Sequence, residues 1–248
     1  MTKATFQYPE SSWPVRTDLT SAHARAWRHI AAPGTWLSGR ERVAVANETR
    51  VAPACAHCDV IAAALSPVQV AGQHTRASDL PQLWVEVIHR IRNDAARLSD
   101  SWYESVLERG MTAQQYVEIV GVLAHIVAID SFTDALGLER HKLPEPLAGE
   151  PARVLPAGAK LGLARVPTVA PEDVGPGEAD LYANLSGANI HRALSLVPAE
   201  VWGFFDLDTV MYLPDSQLRD FEHEFRAIDH AQIELVAARV SALNSCFY

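Results

Sequence analysis

Apolar residues recur at helical spacing along almost the whole chain, and no stretch alternates with the period of two that a half-buried strand requires. From Leu80 to Ala96, Leu83, Trp84, Val87, Ile88 and Ile91 form one stripe, opened by Asp79 with Pro81 in the first turn, where proline is tolerated. A longer stripe of Tyr116, Ile119, Val120, Leu123 and Val127 follows Thr112-Ala-Gln-Gln115, which has the form of a capping box. Ser38-Gly-Arg-Glu41 and Asp229-His-Ala-Gln232 repeat that pattern, the first opening a helix to about Val51 before Pro53. Helical patches over 18–30, 58–65, 101–108, 190–197, 198–212 and 215–228 fill the intervals, the last carrying Leu218, Phe221, Phe225 and Ile228. The expected fold is all-α.

One composition shift divides the chain. Between Gly137 and Glu178 lie seven of its fifteen prolines and six of its thirteen glycines, which predicts a connecting arm rather than a packed element. The expected organisation is a helical unit over 1–136, an arm over 137–178 and a second helical unit over 179–248. With 48% hydrophobic and 21% charged residues, the chain can bury a sizeable core. A net charge of −9 without a Lys/Arg cluster argues against nucleic acid and anionic membrane surfaces as partners. The start, Met1 to Ser12, lacks the basic and apolar segments of a signal peptide, and no uninterrupted apolar run reaches the ~18 residues of a membrane span. With three cysteines, two of them in Cys55-Ala-His-Cys58, the expected setting is cytoplasmic and redox-active rather than a secreted disulfide framework.

Two places carry candidate chemistry. Cys55, His57 and Cys58 supply three possible zinc ligands, but a structural site wants four and no second close Cys/His pair follows, so no metal is expected. At the other end, the helix opened by Asp229 bears Ile233, Val236, Ala237, Val240 and Leu243 as an apolar stripe and leads to Cys246. His89 and His125 fall within helical patterns and read as structural. His223 among Glu222 and Glu224, and His230 one turn before Glu234, read as surface. Trp84, Trp102, Trp202, Phe204 and Phe205 read as core.

Glu234-Leu-Val-Ala-x-Arg-Val-Ser-Ala-Leu-Asn-x-Cys246-x-Tyr248 resembles the signature of the AhpD-like alkyl hydroperoxidases, within the carboxymuconolactone decarboxylase-like group. That family places a Glu twelve residues before a CxxC and a His four residues after its second Cys. Glu234 and Cys246 match, and the second redox residue falls at 249. The resemblance therefore implies a selenoprotein whose chain is cut short before a selenocysteine at that position. Glu41-Arg-Val-Ala, ending in Cys55-Ala-His-Cys58, parallels the motif in the first half, with two residues inserted near Pro53. There the aligned carboxylate is Glu41, with Glu48 a rival nearer Cys55. Ala62 stands where the relay His belongs, and His57 is its substitute.

The resemblance implies tandem AhpD-like helical repeats joined by the Pro/Gly-rich arm. It implies a thiol- or selenol-dependent peroxidase or disulfide oxidoreductase, in which Glu orients His, His takes the thiol proton and the anion attacks a hydroperoxide. Glu41, Glu48, Cys55, His57, Cys58, Glu234 and Cys246 are the candidate catalytic residues. A homo-oligomer and an external lipoyl or thioredoxin-like dithiol are implied as partners, and no organic cofactor. The alternatives are a carboxymuconolactone decarboxylase-like enzyme and a non-catalytic helical scaffold.

Overall fold

The computed structural model describes residues 6–246, and it is all-α apart from one two-stranded bridge. The helices are α1 (Thr17–Ala31), α2 (Gly39–Val51), α3 (Ala56–Ala63), α4 (Gln82–Asp94), α5 (Asp100–Glu108), α6 (Ala113–Ala135), α7 (Asn189–Arg192), α8 (Pro198–Met211) and α9 (His230–Leu243). The capping boxes foreseen at Ser38, Thr112 and Asp229 are all formed, each satisfying orphan N–H groups in both directions. Helix α4 begins differently from expectation. Pro81, not Asp79, is its N-cap, and the Asp79 carboxylate instead accepts from Arg40 Nη2 at 2.5 Å.

Helix α6 is the centre of the fold. By length and composition it is apolar enough to cross a membrane, yet it is a core helix here, with α1, α2, α4 and α8 packed around it. Ile88, Ile119, Ile126 and Ile129 are completely or almost completely buried. Each such side chain contributes roughly 1.5–3 kcal/mol relative to leaving it exposed. Leu181, Leu196, Val197, Val201 and Phe205 join the same core as Trp84 and Ile119, so the segments before and after the arm share one interior. The arm itself lies against the end of α1 and the turn before α2 through Leu147 N–H to Ala31 O, 2.8 Å, and Arg153 N–H to Thr35 O, 2.8 Å. Within it β1 (Ala159–Lys160) pairs antiparallel with β2 (Thr168–Val169).

A charged knot is buried where α1, α2, α6 and α8 meet. Arg42 Nη1 donates to Glu118 Oε1 and to Glu200 Oε1, both at 2.6 Å, and all three side chains are wholly buried. Glu118 also accepts the Trp36 N–H at 2.6 Å, which ties the turn before α2 to α6. Gly34 is required by this approach, since a Cβ there would lie 1.9 Å from Glu118 Oε1.

Two expectations for the C-terminal stretch are corrected. Residues 215–228 form turns and bends, not a helix: Asp220 closes a local turn by accepting from Glu222 N–H, 3.1 Å, and from the His223 ring, 3.0 Å. Phe221 stays exposed. On α9, only Ile233 of the apolar stripe is buried, together with His230, while Val236, Val240 and Leu243 face outward.

Candidate metal centre

The end of α2 sets the position of the first cysteine. A 3-10 turn over Ala52–Ala54, with Pro53 in it, follows the helix and is closed by Cys55 N–H to Ala52 O at 3.1 Å. Cys55 is thereby the N-cap of α3, and Cys58 lies in the first turn of that helix. Both thiols are buried, and neither is in a disulfide. Helix α4 runs alongside and carries His89, which is fully buried, and the loop between α3 and α4 returns to place His74 at the same point.

The four side chains converge. Their donor atoms all lie within 4.8 Å of one another. Cys58 Sγ is 3.3 Å from His74 Nδ1 and 3.3 Å from His89 Nδ1, and Cys55 Sγ is 3.7 Å from His74 Nδ1. A tetrahedral metal with bonds of about 2.3 Å to sulfur and 2.0–2.1 Å to nitrogen has sulfur-to-nitrogen edges of about 3.5 Å. The observed spacings scatter around that edge.

Hydrogen bonds hold the ligands from outside. Glu48, fully buried on α2, presents Oε2 to His89 Nε2 at 3.4 Å. Its other oxygen accepts Ala77 N–H at 2.9 Å and Ser78 Oγ–H at 2.5 Å, so the same carboxylate anchors the loop carrying His74. The bond to Nε2 leaves the His89 Nδ1 lone pair facing the cysteines. Cys55 Sγ accepts the Thr75 N–H at 3.3 Å.

The electrostatics divide the two thiols. Burial works to raise the Cys55 pKa, but hydrogen bonds from Thr75 and Cys58 outweigh it and hold the thiol below its usual range. Burial pushes Cys58 up to about 12. Burial, helped by the neighbouring His89 and His57, holds His74 down to about 4, and burial lowers His89 against the opposing pull of Glu48. Both imidazoles are therefore neutral at pH 7, the form that binds a metal.

The other candidate residues lie elsewhere. His57 is not one of the four donors; its ring packs edge-on against His74, 4.8 Å between centroids, and over Gly72, where a Cβ would come within 2.3 Å of it. The Glu41 carboxylate is held in the capping box, accepting Ser38 N–H at 2.7 Å and Oγ–H at 2.8 Å. Glu48, its rival, is the carboxylate at the site. Glu234 accepts the Tyr212 hydroxyl at 2.6 Å, and Cys246 is exposed beyond the end of α9; neither joins the cluster. Phe247 and Tyr248 of the C-terminal motif lie outside the described residues. Sequence reasoning missed His74 altogether and took His89 for a structural residue. The one available signal was a histidine on the buried face of α4, opposite a helix carrying the equally buried Glu48.

A second convergence lies beside the charged knot, where donor atoms of His29, His125 and Glu200 also fall within 4.8 Å of one another. There His29 Nε2 meets Glu200 Oε1 at 3.1 Å, an oxygen already taken by Arg42, and His125 Nδ1 donates to Gly121 O at 2.7 Å. Arg42 and His29 satisfy Glu200 Oε1, while Glu200 Oε2 and His125 Nε2 have no hydrogen-bond partner among the described residues. No family model, no curated protein and no solved structure matches the chain.

Proposed function

We propose that the chain is a zinc protein whose Cys55, Cys58, His74 and His89 hold one Zn2+ in a closed tetrahedral site. The convergence of these four donor atoms within 4.8 Å carries the reading. Two cysteines and two histidines are the ligand types that suit zinc, and four protein ligands make a structural centre rather than an open catalytic one. The ion also resolves an electrostatic problem. A thiol pushed up to about 12 by burial does not ionise alone at pH 7, whereas a divalent cation between two thiolates makes a neutral centre. Its mechanical role is to tie the loop between α3 and α4, which has little regular structure, to both helices.

The test is metal content. Protein purified without a polyhistidine tag should carry one zinc per chain, and Cys58→Ser and His89→Ala should each reduce this severalfold. Wild-type protein without metal, and with all three cysteines reacting freely with a thiol reagent, would end the zinc reading.

A second reading rests on a separate observation. Glu48, His89 and Cys58 form a carboxylate–imidazole–thiol line, with steps of 3.4 Å and 3.3 Å. It supplies from α4 the relay histidine that Ala62 lacks, and it supports an AhpD-like thiol peroxidase or disulfide oxidoreductase. In that chemistry the Cys58 proton passes to His89, and the thiolate attacks one hydroperoxide oxygen and releases an alcohol. The resulting sulfenic acid condenses with Cys55, giving a disulfide and water, and an external dithiol reduces the disulfide. Dithiol-dependent peroxide consumption by metal-free protein, abolished in Cys58→Ser, would favour this reading over zinc.

A further inference from the structure

Beside the cysteine–histidine cluster, α3, the following loop, α4 and α5 enclose a cavity of about 300 Å3. That is the lower end of the range for small-molecule sites. Its lining includes the apolar Ile61, Val85 and Trp102 and the cationic Arg76, Arg90 and Arg109.

Arg90 is the unusual group. It is 4% exposed, and neither Nε nor Nη2 has a hydrogen-bond partner among the described residues. Its nearest anion is Asp94, with Oδ2 at 3.2 Å from Nη2 but not aligned as a hydrogen bond, and Asp94 Oδ1 already accepts Arg97 Nε at 2.5 Å. The guanidinium lies over the Trp102 ring, 5.5 Å from its centroid. Three of the five N–H donors of its fork thus lack a hydrogen bond, and a buried guanidinium in that state is costly. The neighbouring guanidiniums already have hydrogen-bond partners. Arg76 donates to Leu80 O at 2.6 Å, and Arg109 grips Glu86, the one carboxylate on the cavity wall, through both oxygens at 3.0 and 2.6 Å. The wall therefore carries three guanidiniums against one neutralised carboxylate.

We propose that this cavity binds a small organic carboxylate. Its carboxylate accepts from the Arg90 guanidinium, and its apolar body lies against Val85 and Trp102. The proposal stands whether or not the neighbouring cluster holds metal.

The experiment is calorimetric titration of the full chain, as purified, with benzoate, phenylacetate and hexanoate, and with benzamide and inorganic phosphate as controls. At least one monocarboxylate should bind, with benzamide at least tenfold weaker than benzoate and phosphate weaker than the best carboxylate. Arg90→Met should weaken carboxylate binding at least tenfold. Ser105→Phe, which fills the cavity from its rim, should do the same and serves if Arg90→Met fails to fold. No carboxylate binding below 10 mM, equal binding of benzamide, tighter binding of phosphate, or affinity unchanged in folded variants would each overturn the proposal.

Discussion

Glu48→Gln is the sharpest perturbation of the centre, because it changes one proton position and almost no volume. In the wild type, Glu48 Oε1 takes the Ala77 and Ser78 donors, and Oε2 faces His89 Nε2 at 3.4 Å. A glutamine keeping its oxygen on the loop must turn its NH2 toward His89. Two donors then face each other, and the imidazole relieves the clash by moving its proton from Nε2 to Nδ1. That proton occupies the lone pair facing Cys58, 3.3 Å away, which the metal needs. Loss of such an outer hydrogen bond costs about 10–100-fold in metal affinity, or about 1.4–2.7 kcal/mol. Competition against a chromophoric zinc chelator reads the change directly, with far-UV circular dichroism as the check that the metal-free fold is intact. A well-folded Glu48→Gln protein with zinc affinity within threefold of wild type would refute both the tautomer assignment and the role given to Glu48.

Two further outcomes follow from the buried charges. Arg42→Met leaves Glu118 and Glu200 buried without their cation and should destabilise the fold by roughly 3–5 kcal/mol in urea unfolding, whereas Arg25→Ala, which breaks an exposed pair with Asp206, should cost less than about 1 kcal/mol. Burial holds His23 and His125 down from 6.5 to about 4, so the unfolded chain takes up protons that the folded chain refuses, and stability, full above about pH 6.5, falls as the pH drops toward 4. His74, held down to about 4 as well, adds a third such histidine in the metal-free protein, while Asp208, pushed up by burial from 3.8 to about 6, has the opposite sign and offsets one of the three, so these four groups leave a net slope of about 2.7 kcal/mol per pH unit between pH 6 and 4. Equal unfolding free energies for metal-free protein at pH 7 and pH 4.5 would contradict that sign.

What the sequence disclosed was what its local interactions decide. The caps at Ser38, Thr112 and Asp229 act over three residues, so reading them requires no knowledge of the fold, and all three helices start there. The stretch over 215–228 has apolar residues at equally good spacing. There the short side chain of Asp220 bonds its own backbone neighbourhood first, and helical spacing has no means of recording that competition. The same distinction separates Glu41 from Glu48. Ser38-Gly-Arg-Glu41 is itself a capping box, and a carboxylate holding an N-cap is unavailable for chemistry elsewhere, so the pattern that located the helix already removed Glu41 from the site.

The cysteine pair was legible for the same local reason, and its chemistry was hidden for the opposite one. Two thiols three residues apart have no fixed function until their partners are known. Here the partners come 16 and 31 residues after Cys58, from a loop and from the buried face of a different helix. Cys58 touches both histidines, so its environment is decided by tertiary packing alone. His89 is the residue on which the two readings divide. With Glu48 behind it, its Nδ1 lone pair either binds a metal or takes the Cys58 proton, and one lone pair cannot do both at once. A zinc-loaded centre should therefore be inert to peroxide, and removing the metal should be the only way to expose any thiol reactivity at this site.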